Sequence, residues 1–185
     1  RMMKVAFIIT TTIGAMTGVG IWFSASLISP TSIGSLIRVF YWAWFTEWIV
    51  FVTEVVLIMI YFLTWKNSNS SLRAKIRHIR FGWFLSVFSW ITMALIVSIL
   101  GFMMDPGNWN ADKTLLAGFT NPIYLPQLLF RTPTAMLLGG IFGMLMVSVF
   151  AKKGTVIREK ALQFSGKWIL LWAPIALVGA IVYYK

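Results

Sequence analysis

Long runs of hydrophobic residues alternate along this chain with shorter polar segments, and five of the runs are long enough to predict membrane helices. A helix of about 17 to 25 predominantly apolar residues crosses the hydrocarbon core of a bilayer. The predicted spans are residues 4–29, 39–65, 81–104, 133–150 and 168–184. We therefore predict an all-α membrane protein in which residues 1–185 form a single domain, a bundle of five transmembrane helices.

The composition supports a membrane protein and excludes several kinds of chemistry. Hydrophobic residues make up 59% of the chain, charged residues make up 11%, and the mean hydropathy is +0.83. A soluble domain, by contrast, is about 25% charged. The chain has no cysteine, which excludes disulfides, iron–sulfur ligation and covalent haem attachment. The first hydrophobic run exceeds the ~7 to 15 residues of a signal-peptide core, which favours a retained span.

Basic residues are concentrated in alternate polar segments, although the whole chain has a net charge of +11. These segments hold twelve of the 16 lysines and arginines, namely Arg1, Lys4, Lys66, Arg73, Lys75, Arg77, Arg80, Lys152, Lys153, Arg158, Lys160 and Lys167. Because cytoplasmic loops carry an excess of Lys and Arg, we predict a cytoplasmic N-terminus, an outer C-terminus and no nucleic-acid partner. The inner basic loops serve either as orientation signals alone or also as sites for anionic lipid headgroups. Arg73, Arg77 and Arg80 predict a basic turn of helix in the first of these loops.

Two carboxylates, Glu47 and Glu54, lie within the second hydrophobic run, which has no lysine or arginine to neutralise them. They are two helical turns apart on one face. An ionisable group at that depth costs roughly 2.5 to 3.5 kcal/mol, so it is a candidate functional group.

Two roles stay open for these carboxylates. One is a proton relay, assisted by hydroxyls on the neighbouring spans. The candidate hydroxyls are those of Thr53, Ser86, Ser89, Thr92 and Ser98. The other role is structural adhesion between helices, in which Glu47 pairs with Arg38 or Arg131. Glu54 is the stronger relay candidate of the two.

The only histidine, His78, lies in the first basic inner loop. We predict that it faces solvent or lipid and is not a haem ligand. The ten methionines are predicted to fill the helix core, as flexible apolar side chains usually do. Because two carboxylates on one helix supply too few oxygens for a metal site, no metal site is predicted.

Glycines repeat at a spacing of four in two of the spans, as Gly14 with Gly18 and as Gly139 with Gly143. This spacing is typical of membrane helices that pack closely. Pro133 is predicted to lie in the first turn of the fourth span, where its missing N–H costs nothing.

Residues 51–65, with the sequence Phe-Val-Thr-Glu-Val-Val-Leu-Ile-Met-Ile-Tyr-Phe-Leu-Thr-Trp, resemble the third helix of subunit I of the cytochrome bd quinol oxidases. Residues 82–91, Gly-Trp-Phe-Leu-Ser-Val-Phe-Ser-Trp-Ile, are similar to the fourth helix of that family. The segments Phe-Thr-Asn-Pro at 119–122 and Phe-Arg-Thr at 130–132 resemble its fifth helix. The resemblance covers nearly the whole chain and implies that the five spans correspond to family helices two to six.

The resemblance also implies roles for individual residues. Glu54 matches the inner of two family glutamates, whereas Glu47 matches the outer one only if the register slips by one residue, since strict spacing selects Thr46. Arg131 replaces the histidine that binds the low-spin haem b in the family. A guanidinium stays protonated and has no lone pair for iron, so the resemblance implies a scaffold that has lost this haem.

Three functions are compatible with the sequence. The leading hypothesis is a membrane subunit that anchors or scaffolds a respiratory electron-transfer complex, with Glu54 as a proton-relay step. The second is half of a split haem-containing quinol oxidase, whose missing ligands come from another chain. The third is a non-redox membrane subunit. The expected partners are lipid and other membrane subunits, including haem-bearing cytochromes, with haem b or quinone held at the interfaces. The expected location is a bacterial or archaeal cytoplasmic membrane.

Overall fold

The computed structural model describes the backbone of residues 2–184 and the side chains of that range other than Met2, Met3 and Ala15. Arg1 and Lys185, which the charge count assigns to opposite sides of the membrane, lie outside the described residues. Helix accounts for 89% of the structure, and no strand occurs between residues 2 and 184. The predicted all-helical class is therefore confirmed.

The helices follow one another with short connections. In chain order they are α1 (Met2–Ile8), α2 (Ala15–Ile28), α3 (Pro30–Val39), α4 (Tyr41–Thr64), α5 (Leu72–Met104), α6 (Trp109–Asp112), α7 (Leu115–Phe119), α8 (Tyr124–Phe150) and α9 (Val156–Tyr184). A π-helical segment, Ile9–Gly14, joins α1 to α2, and a 3-10 turn, Lys66–Asn69, follows α4. Pro30 opens α3, at a position where proline's fixed φ favours a new helix.

Five helical stretches in the described part of the chain are long and apolar enough to cross a membrane. They are Lys4–Ile28, Tyr41–Thr64, Leu72–Met104, Tyr124–Phe150 and Val156–Tyr184. Their number agrees with the prediction and is compatible with an integral membrane protein. Three of these helices, α5, α8 and α9, begin well before the hydrophobic runs predicted for them. Lysine, arginine and glutamine are good helix formers, so a helix can extend beyond the apolar part of its sequence.

The early start of α8 changes the position of Pro133. This proline was predicted in a first turn, but it lies inside the helix, so that prediction is wrong. Proline has no N–H to donate to the carbonyl four residues earlier, which here is that of Leu129. Gly179 of α9 approaches that point so closely that a Cβ added to it would lie 2.5 Å from the Leu129 oxygen.

The chain divides into two compact units, and the boundary falls inside α5. One unit covers Met3–Ile96, and the other is built mainly from the residues from Val97 onward. In the first unit, the first span packs on α4 through aromatic pairs. Phe7 stacks on Phe62 with ring centroids 4.5 Å apart, and Trp22 meets Trp44 edge to face at 4.6 Å. Rings in these arrangements contribute beyond the area that they bury.

In the second unit, α8 and α9 pack closely along their length. The indole Nε1 of Trp168 donates a hydrogen bond of 2.8 Å to the Met136 carbonyl. A Cβ on Gly140 would lie 2.8 Å from the same indole, whereas one on Gly139 would meet nothing within 4 Å among the described residues. The predicted contact at Gly143 is confirmed, since a Cβ there would lie 3.5 Å from the Ser165 hydroxyl. At Gly139 the prediction is wrong, because the next glycine along faces α9 instead.

Many large apolar side chains of the spans are exposed, including Trp48 at 59% and Trp83 at 71%. A soluble monomer rarely exposes apolar surface on this scale. These side chains are suited to lipid tails or to neighbouring membrane helices.

We expect Gly179→Ala to destabilise the protein and Gly139→Ala to be tolerated. An alanine methyl at 179 meets the Leu129 and Phe130 backbone, and overpacking of this kind costs about 1 to 3 kcal/mol. At 139 the same change should be neutral or stabilising by up to ~1 kcal/mol, because alanine is the better helix former. The free energy of unfolding in detergent measures both effects. Equal stability of the two variants would contradict the observed packing of α8 on α9.

Candidate functional site

Helices α4 and α5 run antiparallel and share a polar face within the first unit. Three contacts along their length fix the register. Glu54 meets Ser89, Tyr61 packs over Gly82, and Thr64 meets His78. Each step toward the end of α4 is matched by a step toward the start of α5, so side chains on these two faces meet pair by pair.

The carboxylate Glu54 is held at the centre of this face. The Ser89 hydroxyl donates a hydrogen bond of 2.6 Å to Glu54 Oε1, a length typical of a strong O–H bond to a carboxylate. Glu54 and Ser89 are both half-buried. Of the predicted hydroxyl partners, Ser89 is therefore the one that the structure brings to Glu54.

The other predicted hydroxyls bond to backbone carbonyls instead. Thr53, Ser86 and Thr92 each donate to the carbonyl four residues earlier in their own helix. Ser98, on the part of α5 that belongs to the second unit, donates to the Phe119 carbonyl at 2.7 Å. In a low-dielectric environment such bonds satisfy hydroxyls that would otherwise lack a partner.

Glu47 lies on the same face of α4 as Glu54 and is also half-buried. Seven residues correspond to about 10 Å along a helix, so the two carboxylates are well separated. The register that pairs Glu54 with Ser89 brings Glu47 level with Ile96, which has no hydrogen-bonding group. The predicted arginine partners, Arg38 and Arg131, are both exposed, and Arg131 belongs to the other unit. Whether Glu47 pairs with either arginine stays a prediction.

His78 is buried, with an exposure of 7%, so the prediction that it faces solvent or lipid is wrong. Its ring stacks on Tyr61 with centroids 4.2 Å apart and meets the edge of Trp65 at 5.3 Å. Nδ1 lies 2.9 Å from the Thr64 hydroxyl. His78 is buried because it belongs to α5 and not to a loop. This helix begins at Leu72, and His78 lies on the face of the helix that packs on α4.

Tyr61 is a second member of the site that sequence reasoning missed. It follows Glu54 by the same seven residues that separate Glu54 from Glu47, so all three lie along one face of α4. Continuing the seven-residue spacing past Glu54 would have identified Tyr61. The helical spacing of His78, Gly82 and Ser89 would likewise have extended the face of α5 into the basic segment.

A second polar cluster lies in the other unit and holds the loop after α5 against that helix. The Asn121 side chain is buried and donates to the carbonyls of Ser98 at 2.9 Å and Gly118 at 3.0 Å. Gln127, only 2% exposed, donates to the Tyr183 hydroxyl at 2.9 Å. Sequence reasoning missed both amides, because they lie in a segment that resembles an exposed loop.

Among the described residues, neither the acidic side chains nor His78 forms a set of ligands for a metal or a haem. No group of three or more His, Cys, Asp or Glu side chains comes together among them. At His78, Nδ1 is engaged by Thr64, and the adjoining cavity has a volume of about 80 Å³. Sites for drug-sized molecules measure about 300 to 1,000 Å³, so a macrocycle does not fit beside this ring. Arg131 has no lone pair for iron.

Comparisons with protein-family models, with curated proteins and with solved structures found no match for this chain.

We expect Ser89→Ala to lower the free energy of unfolding in detergent more than Ser86→Ala does. Ser89 makes the bond between α4 and α5, and interhelical polar bonds in membrane proteins are worth about 0.6 kcal/mol on average and up to ~1.7. Ser86 lies one turn earlier and bonds only to the Gly82 carbonyl of its own helix. Its loss should therefore change stability by less than ~0.5 kcal/mol. A larger effect for Ser86→Ala would contradict the assigned partner of Glu54.

Proposed function

We propose that this chain is an integral membrane subunit that anchors or scaffolds a respiratory electron-transfer complex, and that Glu54 is a proton-relay step within it. The proposal rests on the half-buried Glu54 carboxylate, which accepts a hydrogen bond from Ser89 between two apolar helices. Carboxylates inside membrane spans commonly belong to proton pathways. A hydroxyl that donates to the carboxylate in one state can reorient when the carboxylate takes up a proton.

Polar groups continue from Glu54 toward one end of the helix pair. The next is the Tyr61 hydroxyl on α4, and Tyr61 stacks on His78 of α5. In the predicted orientation this end faces the cytoplasm, because it adjoins the basic segment that contains Lys66 and Arg77. Helical spacing separates Glu54 from Tyr61 by about 10 Å, a gap that water molecules would bridge in a working relay. Glu47 continues the same face toward the outer side.

A partner subunit is proposed because the polar face of α4 is partly exposed in the first unit. Glu47 and Glu54 are half-exposed within a span, and a charged group in contact with lipid is costly. The same helix exposes large aromatic side chains, including Trp42 at 67% and Trp48 at 59%. Aromatic residues are enriched in protein–protein interfaces relative to the rest of the protein surface. Another membrane chain covering α4 would shield the carboxylates and complete the pathway.

The respiratory assignment rests on the resemblance of residues 51–65 and 82–91 to subunit I of the cytochrome bd quinol oxidases. Those two segments contain Glu54 and Ser89, the residues that the structure joins. Arg131 replaces the haem-binding histidine of that family, so we propose that the low-spin haem is missing here. Haem b or quinone then belongs to interfaces with partner chains, in a bacterial or archaeal cytoplasmic membrane.

The relay is tested with Glu54→Gln in the intact complex. Membrane vesicles that hold the complex are energised with NADH or with a reduced quinone analogue, and the rate of proton translocation is followed with a pH-sensitive dye. A positioned acid–base group contributes about 10²- to 10⁴-fold to proton transfer, so a large loss is expected. Glu54→Asp should keep part of the activity, because it retains an exchangeable proton.

Glu47→Gln is the matched control, since it removes an identical group two turns away on the same helix. Its effect should be smaller, because the register gives Glu47 no hydroxyl partner on α5. Translocation by Glu54→Gln at the wild-type rate would overturn the relay. If Glu54→Gln lowers only the free energy of unfolding, the carboxylate is structural.

An optical difference spectrum tests the haem-free scaffold. The dithionite-reduced spectrum minus the oxidised spectrum of the purified chain should show no haem absorption, whereas the complex isolated with its partners should show it. A haem b spectrum from the chain alone would contradict the scaffold and favour a haem-binding oxidase subunit.

A further inference from the structure

We propose that the turn between α4 and α5 forms a binding site for a phosphate group, built around His78 and Arg77. The site lies beside a cavity of about 80 Å³ and does not depend on the proposed respiratory function. Polar groups from three consecutive elements line the cavity. They are Thr64, Asn67, Ser68, Arg77 and His78.

The buried imidazole of His78 is the first observation that points to a ligand. Its Nε2 is buried and has no hydrogen-bond partner among the described residues. Leaving a buried polar atom without a partner costs about 1 to 3 kcal/mol. A flip of the ring would lose the contact between Nδ1 and the Thr64 hydroxyl, and a smaller rotation would disturb the stacking on Tyr61.

The hydrogen bond at Nδ1 of His78 decides whether Nε2 can act as a donor or as an acceptor. The Thr64 hydroxyl donates to the Ile60 carbonyl at 2.7 Å, which leaves its oxygen free to accept a hydrogen bond from His78 Nδ1, 2.9 Å away. Nε2 then either accepts a hydrogen bond as a neutral ring nitrogen or, with a second proton on the ring, donates one to an acceptor in the cavity.

The surrounding charge selects an anionic acceptor. Four further cations, Lys66, Arg73, Lys75 and Arg80, lie within the same short segment as Arg77. A cationic ligand would be repelled by this group, whereas an anion is attracted. The cavity also lies beside the start of α5, and the positive end of a helix dipole favours negative charge. An imidazolium N–H together with an arginine fork matches the oxygens of a phosphate.

The size of the cavity limits the ligand to a small anionic group. A volume of about 80 Å³ is far below the ~300 Å³ of the smallest sites for drug-sized molecules. It is suited to one phosphate group and not to a nucleotide. That phosphate is supplied either by an anionic lipid headgroup or by free phosphate. A lipid source agrees with the position of the turn at the end of two membrane-crossing helices.

His78 is the only histidine in the chain, so nitrogen NMR reports on this site without ambiguity. The full chain is labelled with ¹⁵N-histidine in a nonionic detergent and titrated separately with dioleoyl phosphatidylglycerol, with inorganic phosphate and with dioleoyl phosphatidylcholine. We expect the Nε2 signal to move to the position of a protonated, donating nitrogen as ligand binds. A response to phosphatidylglycerol alone identifies a lipid headgroup. A response to inorganic phosphate identifies a free-phosphate site.

Arg77→Gln and Arg73→Gln form the matched pair of variants. Both remove one positive charge from the start of α5, but only Arg77 lines the cavity. Loss of a charge-assisted bond should weaken binding about tenfold in Arg77→Gln. Loss of a general surface charge should weaken it less than about twofold in Arg73→Gln. If Arg77→Gln does not fold, Asn67→Ala replaces it as the cavity variant. No Nε2 response to either anion, or equal weakening by both arginine variants, overturns the site.

Discussion

The hydrogen bond between Ser89 and Glu54 is the constraint around which the α4–α5 pair is arranged. A carboxylate in an apolar span is costly, and a hydrogen bond from another group lowers that cost. The serine lies on the facing helix, so the bond fixes both the rotation of each helix and the sliding of one along the other. Once Glu54 is opposite Ser89, the antiparallel register brings Tyr61 over Gly82 and His78 beside Thr64.

The same register explains why the two carboxylates differ. Glu47 and Glu54 share a face of α4, and their span contains no lysine or arginine. Only one of them has a hydroxyl opposite, because α5 has a serine at 89 and an isoleucine seven residues later. The chemistry of α4 is thus selected by the sequence of its neighbour. A proton pathway that used both carboxylates would need groups from a further chain or from water at Glu47.

The middle of the α4–α5 face and its basic end differ in how their polar groups are paired. At mid-span the polar groups are few and are paired with each other. At the basic end, the imidazole is buried, yet one of its nitrogens has no partner among the described residues. Arg77 lines the adjoining cavity. A partly satisfied polar group beside a cavity is costly to keep, and a ligand bound there would remove that cost.

The sequence by itself determined the helical class, the number of helices long and apolar enough to cross a membrane, and the position of Glu54 within one of them, because the length of a hydrophobic run depends on local composition. It also identified Ser89 as one of several candidate hydroxyls. It misplaced the starts of α5, α8 and α9, since hydropathy detects the apolar part of a helix and not its polar first turns. That error made His78 resemble a solvated loop residue. Only the tertiary structure decided that His78 is buried, that Ser89 and not Ser86 reaches Glu54, and that Gly140 and not Gly139 faces α9. Each of these depends on which side of a helix meets its neighbour, and that rotation is fixed by contacts between residues far apart in the chain.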